Sequence, residues 1–140
     1  MDIAIDFDGT CVTHEFPKIG KDIGAVPVLK RIVKAGHNLI LFTMRSDIEE
    51  VVTDDYNINK TAGNYLTEAV NWFKENDIPL YGINKNPTQI GWTLSTKAYA
   101  QLYIDDAALG CPLNVDQNIS DRPFADWHQI EYWLEVRGII

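Results

Sequence analysis

Asp6 and Asp8 stand one residue apart at the end of the apolar run Ile3-Ala4-Ile5, and Gly9 and Thr10 follow directly. Carboxylates at the end of a buried strand are costly to desolvate without a partner. A metal ion and a phosphate would give them one. The pair could then divide the work of an aspartyl nucleophile and a general acid/base. Gly9 lets the backbone turn sharply and leaves room for an anion near free N–H groups, so Gly9 and Thr10 are read as substrate-binding positions. The plainer reading of the stretch is a strand followed by an Asp-Gly turn.

Three further places offer polar groups behind an apolar run. Thr43 and Arg45 follow 38–42, Asn84 and Lys85 follow 80–83, and Asp105-Asp106 follow 102–104. Asp6, Asp8, Asp105 and Asp106 are hard oxygen ligands suited to Mg²⁺. Without a cation they would repel one another and raise one another's pKa. Thr43, a lysine and the metal would hold the transferring phosphoryl oxygens. Arg45 is grouped with the substrate-binding residues, and pairing with a carboxylate is its other reading.

These groups converge only if the elements place them on one rim. Pro27, the apolar Leu29, Ile32 and Val33, and Gly36 predict a helix over 26–35, followed by a strand over 38–42. Ser46-Asp47-Ile48-Glu49 has the form of a capping box and predicts a short helix, with 54–63 a polar connection. Tyr65, Leu66, Ala69, Val70 and Phe73 recur with helical spacing, and the helix ends before Asp77-Ile78-Pro79. Strands follow at 80–83 and 102–104, with an irregular stretch over 84–96 and a short strand over 113–115. A final helix carries Trp127, Ile130, Trp133 and Leu134, with Asp126 as its N-cap and Gly138 as its terminator. The alternation predicts one α/β domain over 1–140, a Rossmann-like, mostly parallel sheet with helices on both faces. In such sheets ligands sit outside the carboxyl ends of the strands, where the polar groups fall.

Composition narrows the partners. The 140 residues are 46% hydrophobic and 23% charged, ordinary for a folded domain, and the net charge is −8. That balance argues against nucleic acid or an anionic membrane surface, while a phosphorylated substrate needs only a local cation. Cys11 and Cys111 make no metal-type spacing, and neither a signal segment nor a membrane-length apolar run is present, so a soluble cytoplasmic protein is expected. Asp54-Asp55 follows no apolar strand and reads as solvated surface. His14, His37 and His128 have no ligand spacing and read as surface residues, and the four tryptophans read as core and helix-face residues.

Asp6-Phe7-Asp8-Gly9-Thr10 resembles the D-x-D-G-T signature of haloacid dehalogenase (HAD) superfamily phosphatases. Thr43 resembles that superfamily's second motif and Ile104-Asp105-Asp106 its acidic fourth motif. The resemblance implies Asp6 as a nucleophile forming an aspartyl-phosphate and Asp8 as the acid that protonates the leaving group and then activates water. It implies Mg²⁺ held by Asp6, the Asp8 main-chain carbonyl and Asp105, with Asp106 in support. Dehalogenating members lack the second aspartate, so Asp8 favours phosphoryl transfer. The stretch from Lys97 to Asp106 is similar to the K-P-x-A-D-x-x-I-D-D pattern of small members, with Ala98 in place of proline and Gln101 in place of aspartate. Lys97 is therefore expected to bind phosphate, with Lys85, directly behind a strand, as the alternative. No stretch is long enough for a cap domain. A capless, open site would suit a bulky substrate or closure by a second subunit in a homo-oligomer, and Trp92, His14, Phe16 and Lys18 are candidates for shaping its entrance.

Rival readings meet the same residues. An EF-hand loop would need a bidentate glutamate where Pro17 stands. A non-hydrolytic signalling receiver also gathers carboxylates, Thr and Lys around Mg²⁺, but its phosphoacceptor would end the third strand, where Asn84 and Lys85 stand. A silent interaction module of the same fold would have no use for the full acidic set. An Mg²⁺-dependent phosphohydrolase is the expectation.

Overall fold

The computed structural model describes residues 1–49, 52–53 and 59–140. In chain order the elements are β1 (Asp2–Ile5), α1 (Ala25–Lys34), β2 (Asn38–Leu41), β3 (Asp47–Ile48), β4 (Val52–Thr53), β5 (Asn59–Lys60), β6 (Gly63–Asn64) and α2 (Tyr65–Glu75). They continue with β7 (Gly82–Ile83), a 3₁₀ turn at Gln89–Gly91, β8 (Leu102–Ile104), β9 (Leu113–Asn114), β10 (Phe124–Ala125) and α3 (Trp127–Val136). Asp54 and Asp55 lie outside the described residues.

The central sheet has the order β7-β2-β1-β8, and all its pairs are parallel. Its middle strands are apolar because both faces are covered: Ile3, Ala4, Ile5, Leu39, Ile40 and Leu41 are all buried. The chain steps from β1 to β2 to β7 in one direction, then crosses back to place β8 on the other side of β1. Right-handed crossovers therefore put α1 and α2 on one face and the β7–β8 connection on the other.

Burial agrees. Ile3, Ile5, Leu39, Leu41 and Ile104 share one core with Leu29 and Ile32 of α1, Ala69 and Phe73 of α2, and Ile130 and Leu134 of α3. Removing one such side chain by substitution to alanine costs about 2–5 kcal/mol. Alternation turns Ala4, Ile40 and Tyr103 to the opposite face. There residues 84–101 lie as an irregular crossover: Tyr103 donates its hydroxyl to the Ala98 carbonyl (2.7 Å), and Asn86 donates its amide to Asp2 (2.8 Å) and to the Tyr99 carbonyl (3.0 Å). The expectation of helices on both faces is thus corrected. The stretch 84–101 carries Pro87 and only the short 3₁₀ turn, so no α-helix forms where the second layer would need one.

The helix ends follow from sequence. His37 N–H bonds the Ile32 carbonyl, Ile78 the Phe73 carbonyl and Ile139 the Leu134 carbonyl, the same six-to-one closure for α1, α2 and α3. Gly36 and Gly138 take the left-handed position in two of these, and Asp77 (φ 55°) takes it in the third. Asp126 caps α3 as expected, accepting from Gln129 N–H at 3.1 Å.

The capping box at Ser46 does not open a helix. Asp47–Ile48 is a strand paired antiparallel with Gly63–Asn64, and Val52–Thr53 pairs with Asn59–Lys60. β-branched residues favour that outcome. Asp47 does cap a helix, but a distant one: its carboxylate accepts the Thr67 N–H (2.9 Å) and hydroxyl (2.6 Å) in the first turn of α2. The short strand expected over 113–115 is β9, which pairs with β10 away from the central sheet. Trp127 is buried as expected, whereas Trp92, in the irregular crossover, is exposed. Among the described residues no helix is long and apolar enough to cross a membrane.

Candidate active site

The reversal of strand order falls between β1 and β8, and the crevice at such a switch point is where open α/β sheets bind ligands. Asp6 leaves β1 and Asp105-Asp106 leave β8, tied together by the Asp6 N–H on the Ile104 carbonyl (3.0 Å). Asp6, Asp105 and Asp106 each bring a carboxylate oxygen within 4.8 Å of the others. Such a group of hard oxygens could hold a metal ion. Burial first, and then the charges of Asp105 and Asp106, push the Asp6 carboxyl up from 3.8 to about 7, against lowering hydrogen bonds from Phe7 N–H and Thr10. A cation between these carboxylates would remove the repulsion.

Behind Asp8 the chain folds tightly, with the N–H groups of Thr10, Cys11 and Val12 all directed at the Phe7 carbonyl. That turn buries Thr10 and sets its hydroxyl 3.2 Å from Asp6 Oδ2 and 3.1 Å from Asp106 Oδ1, while it accepts the Asp106 N–H at 3.0 Å. Trp127 donates its indole N–H to the Thr10 carbonyl (2.6 Å), which fixes the turn against α3. Thr10, expected from the sequence to bind substrate, is buried and braces two carboxylates. Cys11 is buried and donates its thiol to the Asp6 carbonyl (3.2 Å); burial pushes that thiol well up, so it stays protonated and unreactive.

Gly9 is buried with φ +84°. A Cβ there would fall 2.0 Å from His14 Nε2 and 2.7 Å from Asp106 Oδ2. The glycine therefore makes room for a neighbour in the chain rather than for an anion. His14, read from sequence as a surface residue or an entrance residue, bonds Asp106 Oδ2 through Nε2 at 2.8 Å and is half-buried. No spacing announces this contact, which depends on the turn at Phe7 to Val12.

Asp8 faces a different environment. Arg45 grips it with two bonds, Nε to Oδ2 and Nη2 to Oδ1, each 2.7 Å. Nη1 donates to the carbonyls of Pro17 and Tyr65 (both 3.3 Å), and Nη2 also donates to that of Lys18 (2.8 Å). The guanidinium lies over the rings of Phe7 and Phe16, 5.1 Å from each, with a side chain only 1% exposed. Of its two readings the structure shows the pairing one: the Arg45 donors are engaged by Asp8 and by backbone carbonyls. Lys18 enters this site through its carbonyl.

Thr43 lies two residues beyond the end of β2. Its N–H bonds Asn84 Oδ1 (2.8 Å), and its hydroxyl accepts the Arg45 N–H (3.1 Å), which leaves the hydroxyl proton free to donate. Asn84, at φ 53°, is therefore a positioning residue that sequence reading left without a role. Both candidate lysines are exposed. Lys97 sets its ammonium 5.1 Å from the centre of the Tyr103 ring, and among the described residues neither Lys97 nor Lys85 forms an ion pair.

A conserved protein coded by a locus from Bacteroides thetaiotaomicron, of known structure, is similar over 98% of this chain and 91% of its own, with 31% identity and a TM-score of 0.69. The chain belongs to the family of that protein. The likeness spans both strands that carry the acidic cluster and all three helices around them. No protein-family model matches the chain, and neither does any curated protein.

Proposed function

We propose that this protein is an Mg²⁺-dependent phosphohydrolase of HAD type that works through an aspartyl-phosphate on Asp6. The observation that carries the reading is the convergence of Asp6, Asp105 and Asp106 at the switch point, with Asp8 held separately two residues on. An Mg²⁺ ion held by Asp6, Asp105 and Asp106 would neutralise charge on the nucleophile and on the phosphoryl oxygens. The resemblance adds the Asp8 main-chain carbonyl to that set.

Asp6 attacks phosphorus, the ester P–O bond breaks, and the leaving alkoxide takes a proton from Asp8. Water then attacks the aspartyl-phosphate, Asp8 takes its proton, and the Asp6–phosphorus bond breaks to release phosphate. The Arg45 clamp fixes the aim of Asp8, and one of the two bonds must loosen when Asp8 carries the proton. Thr43, held by Asn84, donates to a phosphoryl oxygen. The third-motif cation is Lys97, with Lys85 the alternative, and a swing of either exposed side chain over the rim would complete the charge balance.

The test is phosphate release from an aryl phosphate with and without Mg²⁺, in wild type beside Asp6→Asn and Asp8→Asn. Activity that needs metal and is lost in both variants is expected. Activity indifferent to Asp6→Asn would overturn the mechanism.

A further inference from the structure

We propose that the cleft beside Asp8 is the leaving-group pocket of this site and selects a small, uncharged, apolar or aromatic alcohol; the proposal rests on the phosphohydrolase reading above. A cavity of about 280 Å³ opens between Asp8, Phe16, Met44 and Arg45. Ligand clefts generally span about 300–1,000 Å³, so this one holds a single ring or a short chain.

Two of its lining side chains are large, apolar and open to a ligand, Met44 at 97% and Phe16 at 58% exposure. Phe16 is held in place, its ring 5.1 Å from that of Tyr65 and 5.1 Å from the Arg45 guanidinium carbon. It forms a fixed flat wall. Met44 is unbranched and can close over ligands of varied shape.

The charge of the cavity limits the ligand further. Among the described residues that line it Arg45 is the one cation, and its donors are taken by Asp8 and by the carbonyls of Pro17, Lys18 and Tyr65. A leaving group with further phosphates or carboxylates would face Asp8 and find no free Arg45 donor to receive it. An uncharged alcohol would bury its apolar surface between Phe16 and Met44 and set its ester oxygen beside the carboxyl that protonates it.

Two arms test this. The first compares kcat/KM for phenyl phosphate and glycerol phosphate in Mg²⁺ for wild type, Met44→Ala and Phe16→Ala; the higher intrinsic reactivity of the aryl ester cancels between variants. The preference for the phenyl ester is expected to fall about tenfold in Phe16→Ala and less in Met44→Ala, the range for removing part of an apolar pocket. The second arm measures binding of phenylphosphonate against methylphosphonate by calorimetry, with the phenyl compound favoured in wild type and the margin reduced in both variants. Cleavage of both esters with an unmoved ratio overturns the pocket and leaves the reaction standing. Selective phenylphosphonate binding that weakens in both variants, with no ester cleaved, supports the pocket and overturns the reaction. Equal binding of the two phosphonates overturns the pocket whatever is cleaved.

Discussion

Asp6 and Asp8 differ by two positions in the chain and stand in opposite electrostatic settings. On one side of Phe7, Asp6 shares a crevice with Asp105 and Asp106, and among the described residues its carboxylate is bonded by neutral groups, Phe7 N–H and the Thr10 hydroxyl. On the other, Asp8 has both oxygens on a buried guanidinium that also ties down three carbonyls. One carboxylate is left needing a cation and the other is already supplied with one. Burial and the two neighbouring carboxylates disfavour charge on Asp6, so its proposed role as nucleophile depends on the cation that the cluster would bind. Asp8 and Arg45 satisfy one another within the chain, whereas the acidic cluster carries a burial and like-charge cost that a bound cation would offset.

Substitutions on the two sides should therefore act in opposite senses. Arg45→Ala leaves Asp8 partly buried without its partner and three carbonyls without a donor, and should destabilise the protein by about 3 kcal/mol or more in urea unfolding. Arg45→Lys should recover only part of this, since an ammonium cannot make the two-bond grip. Asp6→Asn in metal-free protein should instead raise the unfolding midpoint at neutral pH. A midpoint lowered by both Arg45→Ala and Asp6→Asn would break the contrast.

Proton linkage sharpens it. Asp6 has a folded-state value of about 7 against 3.8 for the free group, so between these values the native state holds more protons than the unfolded chain. Stability contributed by the protonated form is complete below pH 3.8 and is lost as pH rises through about 7. With EDTA present, Tm should decline across this window, and Asp6→Asn should flatten the decline. Added Mg²⁺ should raise Tm more at pH 8 than at pH 5, because proton and cation compete for the same carboxylates.

A smaller effect is expected one contact away. His14→Ala removes the bond that orients Asp106 and should weaken Mg²⁺ binding about tenfold by calorimetry, in line with other outer partners of metal ligands. His14→Gln, which keeps a donor, should restore part of the affinity. The smallest change belongs far from the cluster. Asp47→Ala should lower the unfolding midpoint slightly, through loss of the carboxylate bonded to Thr67 in the first turn of α2, and leave Mg²⁺ affinity as it was.

Much of this site was legible in the sequence, for a physical reason. A carboxylate at the end of an apolar strand is conspicuous because burial makes it costly, so Asp6, Asp8 and Asp105-Asp106 stood out. Contacts made by folding back over a turn were not legible. Nothing in the spacing of Gly9, His14 and Asp106 shows that the chain reverses at Phe7, or that Gly9 serves the histidine. Nor could the sequence say which of several carboxylates Arg45 would take. In the fold, parallel strands were readable from their unbroken apolar runs, and helix ends from Gly36 and Gly138. The one-sided placement of the helices depends on strand order, which local periodicity does not contain. Ser46-Asp47-Ile48-Glu49 misled because an acidic residue suited to capping was capping α2 from another segment.

The most direct test of the account is the position of the phosphoryl group during turnover. Wild-type protein mixed with an aryl phosphate and Mg²⁺, quenched in acid and digested, should yield a phosphorylated peptide whose modified residue by mass spectrometry is Asp6. Label on any other residue, or Mg²⁺-dependent phosphate release at full rate from Asp6→Asn, would contradict it.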